Sequence, residues 1–165
     1  MKIDISSIVK ANGAGLSISY NDTLPELNEA AGDFEFEKPV EFEGNLVNAS
    51  GVMKLEGLLK LEYASKCSRC LKDIKCNMDI KVKEDFLEKD ESTGPEVYTY
   101  EDNYILIDNV LKDNIILNLP VKQVCDENCK GLCPRCGVDL NKHECSCKDE
   151  VINPQMEVLK NFFNN

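Results

Sequence analysis

The chain contains no tryptophan and only one histidine, His143. It has no apolar run approaching the ~18 residues that cross a bilayer, so no membrane role is expected. A Gly-rich phosphate loop and a nucleophile elbow are both missing, and His143 alone offers little for acid–base work. An enzyme reading therefore finds little support, and the expectation is a non-enzymatic protein. Positive charge is also scarce: 19 Lys and Arg stand against 30 Asp and Glu, for a net charge of −11. That balance excludes a protein that coats nucleic acid through its overall charge. The first residues, MKIDISSIVK, lack the apolar core of a secretory signal, which predicts a cytoplasmic chain whose thiols stay reduced.

What the chain does have is cysteine. Its nine cysteines form four tight pairs and one leftover: Cys67/Cys70, Cys125/Cys129, Cys133/Cys136, Cys145/Cys147, and Cys76 alone. Cysteines so close in sequence are poorly placed to bridge each other but well placed to share a metal ion, because one tight turn aims both thiolates at a point. A tetrahedral zinc takes two such pairs, so four pairs supply two structural zinc ions. Each filled four-thiolate centre would carry a charge of about −2. All-cysteine ligand sets are mostly structural, whereas catalytic zinc keeps an open position beside His or carboxylate ligands. Clustered thiolates can also hold iron–sulfur clusters, so an Fe–S or redox-sensing protein is the weaker alternative.

Charge is segregated along the chain. Residues 22–45 carry eight acids and one lysine, residues 84–113 carry ten acids and two lysines, and residues 54–83 carry eight basic residues against four acids. This basic island also shows the clearest periodicity. Met53, Leu55, Leu59, Leu61 and Tyr63 alternate with charged residues, interrupted at Gly57 and Leu58. Ile74, Cys76, Met78, Ile80 and Val82 alternate without a break. A period of two means strands with one buried face, and the intervening Cys67–Leu71 then forms the tip of an antiparallel hairpin. Cys76 lies on the apolar stripe and reads as a core thiol, not a ligand.

The remaining body is sketchier. An edge strand or short helix is expected before a strand at Gly15–Tyr20, and one or two strands between Phe34 and Val47 with a break at Pro39. Residues 88–102 read as an acidic loop. Asp108 can cap a helix over 109–118 whose inward stripe is Ile107, Val110, Leu111 and Ile115, ended by Leu119-Pro120. Asn153-Pro154 opens a closing helix to about Phe163. The fold class is α+β: an antiparallel sheet or partly closed β-barrel body with a few short helices and a C-terminal Cys-rich zinc-ribbon-like module. The expected divisions are a body over residues 1–124, the metal-binding module over 125–148, and a helix over 149–165 that packs on the body.

In the module, Cys133-Pro134-Arg135-Cys136-Gly137 reads as a zinc knuckle. The proline stiffens the turn, and glycine permits the positive φ that lets backbone N–H groups point at sulfur. Leu132, Val138 and Leu140 are too small a core to fold this segment alone, so metal binding must supply the stability. His143 could replace one cysteine as a ligand, but beside six cysteines it reads as a surface residue or one that supports a ligand from behind. The module has six cysteines, too many for one tetrahedral ion. Either it holds one four-thiolate site with two spare thiols, or one of its pairs reaches back to Cys67/Cys70. The simplest closure joins Cys67, Cys70, Cys125 and Cys129, leaving Cys133, Cys136, Cys145 and Cys147 for the second ion.

The residues resemble those of the YceD family of large-subunit ribosomal RNA accumulation proteins. The resemblance lies in C-x-R-C-L after a strand, in Ile107-Asp108 followed by Ile-Ile-Leu-Asn-Leu-Pro, and in C-x3-C-x-G-L-C-P-x-C-G-x-x-L-N with a later C-x-C. It runs from about residue 50 to the C-terminus and is most specific in Cys67–Leu71 and Gly131–Asn141. It implies a factor that supports accumulation or maturation of large-subunit rRNA, with rRNA, a ribosomal protein or a precursor particle as partner. A zinc-ribbon adaptor without RNA contact is the alternative. If RNA is touched, the acidic stretches exclude themselves, and the contact falls to Lys66, Arg69, Lys72 and Lys75 around the hairpin tip. The chain is expected to be a monomer.

Overall fold

A computed structural model describes residues 1–89 and 97–147. The closing helix expected over 154–163, the 149–165 division and the middle of the acidic loop lie outside the described residues. The elements in chain order are β1 (Lys2–Asp4), α1 (Ser6–Val9), β2 (Gly15–Asp22), α2 (Pro25–Ala30), β3 (Val40–Ala49), β4 (Val52–Lys66), β5 (Asp73–Glu88), β6 (Tyr98–Tyr100), β7 (Tyr104–Leu106) and α3 (Ile107–Asn118). Five strands form one sheet in the order β2-β3-β4-β5-β6, and β1 pairs with β7 in a separate two-stranded ribbon. The two end strands of the large sheet, β2 and β6, do not pair with each other, so the body is an open sheet and not a barrel.

The sheet grows from the alternation in the sequence. Met53, Leu55, Leu59, Leu61 and Tyr63 of β4 are all buried, as are Ile80, Val82 and Phe86 of β5. The β4–β5 hairpin is antiparallel in the register Leu59↔Ile80 and Lys66↔Asp73, which puts residues 67–72 at its tip. Alternation in β4 is in fact unbroken, because Gly57 takes an inward position. A side chain there would collide with the Phe42 ring at 2.6 Å, and Gly44 directly opposite would do the same. The glycine pair leaves room for Phe42, which is fully buried.

α3 covers the inner face through Ile107, Val110, Leu111 and Ile115, with Asn114 reaching Glu84 at 2.8 Å. Asp108 is not its cap: the N-cap is Leu106, and Asp108 sits in the first turn, where its carboxylate meets the Met1 ammonium and the N-terminal end of the helix dipole. The acidic loop also contains structure the sequence hid. Tyr98–Tyr100 pairs in parallel with Phe86–Glu88, the one parallel ladder in the sheet. Asn48, 2% exposed, ties α1 to β3 by donating to the carbonyls of Ile8 (2.8 Å) and Val9 (2.7 Å). The sheet thus projects one long hairpin past its helical cover, and the chain leaving α3 passes beside the hairpin's tip.

Candidate metal centres

At that tip the sulfur atoms of Cys67, Cys70, Cys125 and Cys129 lie within 4.8 Å of one another, and those of Cys133, Cys136, Cys145 and Cys147 form a second such group. Individual separations are 3.9 Å for Cys67–Cys129, 3.6 Å for Cys70–Cys125, 3.5 Å for Cys136–Cys145 and 3.4 Å for Cys145–Cys133. A disulfide would need about 2.05 Å. Four thiolates each ~2.3 Å from one zinc-sized ion stand about 3.8 Å apart along the edges of their tetrahedron. Both groups fit a single ion each. All nine cysteines are free thiols, and Cys76 belongs to neither group. It lies on the inward face of β5, where its sulfur meets the Gln123 side-chain amide at 2.7 Å. His143 is exposed and is held by its backbone N–H to Asp139 at 3.0 Å, outside both groups.

The two groups are built on the same turn, used twice 66 residues apart. In the first, Leu71 N–H donates to the Cys67 carbonyl (2.9 Å), Cys67 N–H to Lys72 (2.9 Å) and Arg69 N–H to the Cys67 sulfur (3.4 Å). In the second, Gly137 N–H donates to the Cys133 carbonyl (2.9 Å), Cys133 N–H to Val138 (2.8 Å) and Arg135 N–H to the Cys133 sulfur (3.5 Å). The residue after the second cysteine has positive φ in both, 73° at Gly137 and 60° at Leu71. The expected glycine conformation thus occurs in the tail, and the hairpin achieves the same turn with a leucine.

These turns prepare thiolates. Backbone N–H groups from Cys70, Cys125 and Arg69 draw the Cys67 thiol down to about 6, and those of Cys136 and Arg135 do the same to Cys133, also about 6. Neighbours respond in the opposite sense. The thiols of Cys70 and Cys129 push Cys125 up to about 12. At Cys145 the Cys147 N–H pulls down, but the thiols of Cys133, Cys147 and Cys136 carry it up to about 12. Four thiolates this close would repel one another, so a metal ion held among them would be what allows all four to deprotonate.

Arg69 closes the first group. Its guanidinium nitrogen Nη1 donates to the carbonyls of Glu127 (3.0 Å) and Cys129 (2.9 Å), gathering the Cys125–Cys129 loop onto the hairpin tip. The chain's only two arginines occupy the third position of the two C-x-R-C turns. Arg135 is exposed, and its side chain makes no hydrogen bond among the described residues. Asn141 was silent in the sequence apart from its place in the tail motif. Its Nδ2 reaches the Cys129 sulfur at 3.5 Å while its Oδ1 accepts from Lys130 N–H at 2.8 Å, so the second ribbon supports a cysteine of the first group. Leu132 N–H donates to the Arg69 carbonyl at 2.9 Å, and Gly131 passes so close that an added Cβ would lie 2.8 Å from that oxygen. The two centres form one continuous unit.

Three of the eight basic residues of the island are in ion pairs among the described residues. Lys83 meets Glu56 at 3.0 Å, Lys54 meets Asp85 at 3.4 Å and Lys75 meets Glu37 at 3.0 Å. Of the four residues expected to face a partner, Arg69 is committed to the loop and Lys75 to an ion pair. Lys66 and Lys72 are exposed at the tip without an ion pair among the described residues.

An open sheet whose long hairpin shares one four-cysteine group with the start of a Cys-rich ribbon, the ribbon carrying a second such group, defines an α+β protein with two sites that could each hold a metal ion. The family model described as "Large ribosomal RNA subunit accumulation protein YceD" matches residues 55–163, and the chain belongs to that family. Two relatives carry the name Large ribosomal RNA subunit accumulation protein YCED homolog 1, chloroplastic. The one from Arabidopsis thaliana is 39% identical over 44 residues, covering 27% of this chain and 14% of that protein. The one from Zea mays is 44% identical over 48 residues, covering 28% and 16% respectively. The match thus spans less than a fifth of either plant protein. No solved structure matches the chain.

Proposed function

We propose that this chain is a non-enzymatic factor that supports accumulation or maturation of large-subunit rRNA, and that its two four-cysteine groups are structural zinc sites. The observation that carries the reading is the tetrahedral closeness of both sulfur groups in a chain whose family is named for that process. Closed all-cysteine sites favour scaffolding over catalysis, and thiolate ligands without histidine favour zinc over harder cations. The sulfur spacing speaks against an iron–sulfur cluster, in which thiolates on different irons stand farther apart than the edges of one tetrahedron. The zinc ions would fix the relation of the hairpin tip to the ribbon, and the partner surface would lie on this end of the molecule. Lys66 and Lys72, with any share Arg69 retains, are the cationic groups offered there, and Arg135 on the second turn is a further one. The partner is rRNA, a ribosomal protein or a precursor particle, and the protein acts as a cytoplasmic monomer.

The test is affinity capture of the metal-loaded protein with RNA and protein both identified, repeated with Lys66→Ala/Lys72→Ala, Arg135→Ala and Cys133→Ser. Recovery of large-subunit rRNA or precursor particles, lost on substitution of the basic residues at unchanged metal content, supports the reading. Recovery of transcription components alone would replace it with a zinc-ribbon adaptor that never touches RNA.

A further inference from the structure

Beside the first centre a cleft of about 600 Å³ runs between the hairpin tip and the chain leaving α3. Its walls hold Phe34, Leu71 and Val121, and the last two are 62% and 99% exposed. Leu71 is the informative residue. The fold needs a positive φ at this point of the knuckle, and the equivalent turn meets that need with Gly137. A leucine adds steric cost in that conformation, so the turn does not account for it, and at 62% exposed it lies outside the core. Val121 is a second exposed apolar residue in the cleft's lining. It follows Pro120, just ahead of Gln123, whose backbone is held to Ser68 by bonds of 2.8 and 3.3 Å. Backbone hydrogen bonds from Leu71 to Cys67 and between Gln123 and Ser68 tie both segments to the first group.

The rim is acidic. Asp33, Glu35, Glu37 and Asp73 line the cleft with only Lys66 and Lys75, and Lys75 is already engaged by Glu37. A filled four-thiolate centre adjacent to it contributes about −2 more. We propose that this cleft is a docking site for a short basic protein segment that carries an apolar anchor side chain, the anchor seating between Leu71 and Val121 and the basic residues meeting the rim. RNA is repelled by the same rim. The chain's own residues 148–165 do not suit it, having three acids and two lysines. This inference rests on the first group being a filled metal centre, and it names a partner class for the assembly factor proposed above.

The probe is a fluorescently labelled short peptide of alternating lysine and leucine, titrated by anisotropy into the full chain whose metal content has been measured. Leu71→Gly and Val121→Ser leave the charge unchanged, and Leu71→Gly relieves the strained turn, so it should fold at least as well as the parent. The expected result is a loss of about tenfold in affinity for each variant, the scale of one buried aliphatic contact, with metal content unchanged and no binding of a companion peptide in which serine replaces leucine. Equal binding by both variants, equal binding of the serine peptide, displacement by single-stranded RNA, displacement by a peptide of residues 148–165, or protein dimerisation that excludes the probe would each overturn it. Absence of metal from the parent protein would instead remove the centre on which both readings depend.

Discussion

Gly131→Ala places one methyl group where the two centres meet. The position combines a φ of +74° with a backbone oxygen, that of Arg69, 2.8 Å from the new Cβ. Gly137 supplies the internal control, with a φ of +73° and nothing within 4 Å of an added Cβ. Both variants incur the left-handed cost of about 1–2 kcal/mol, less the ~0.4–1 kcal/mol that alanine gains by restricting the unfolded chain. Only Gly131→Ala must also push backbone away from backbone, which costs about 1–3 kcal/mol more because no flexible side chain can yield. The shift would lengthen the Leu132-to-Arg69 bond that joins the second ribbon to the first. Urea unfolding of the metal-loaded proteins measures the difference between the two variants directly, provided each keeps its metal. Equal loss in both would mean that the ribbon rides loosely on the hairpin and that the two centres are not one unit.

Metal analysis should find two ions per chain, falling to one in Cys125→Ser and to one in Cys133→Ser. Two ions retained in either would break the grouping of cysteines described above. Cys76→Ala should leave metal content untouched and cost about 1 kcal/mol through lost packing, measured by the same urea unfolding, and loss of an ion would place this thiol in a centre. Burial, together with the hydrogen bond to Asp113, holds the Tyr98 hydroxyl well above the usual 10. The folded state therefore keeps a proton that the unfolded chain gives up, so this contribution is complete below pH 10 and is lost as pH rises above it. Tyr98→Phe should flatten that alkaline fall in stability, and an unchanged profile between pH 9 and 12 would show that Tyr98 ionises like any exposed tyrosine.

The sequence by itself determined the elements whose signal is local. Period-two alternation in residues 53–63 and 74–82 marked the central hairpin, because a strand between core and water must alternate. The apolar stripe of Ile107, Val110, Leu111 and Ile115 marked α3, and the same reasoning set Cys76 apart from the paired cysteines. Spacing alone announced the four cysteine pairs, since two thiolates a turn apart converge whatever the rest of the chain does.

Which pair joins which rested in the sequence only on economy of closure and was decided in three dimensions. Cys67 and Cys129 are 62 residues apart, and they meet because β4 and β5 carry the tip out to where the chain leaves α3. No local pattern encodes that distance. The role of Arg69 was hidden for the same reason, as a guanidinium beside lysines looks like a surface charge until two distant carbonyls are seen to converge on it. Asn141 under the Cys129 sulfur, the parallel pairing of Tyr98–Tyr100 and the apparent break at Gly57 belong to the same class. Side chains report the environment they need within a turn or a strand. The partner that satisfies a metal, a hydrogen bond or an inward gap is chosen by the path of the whole chain.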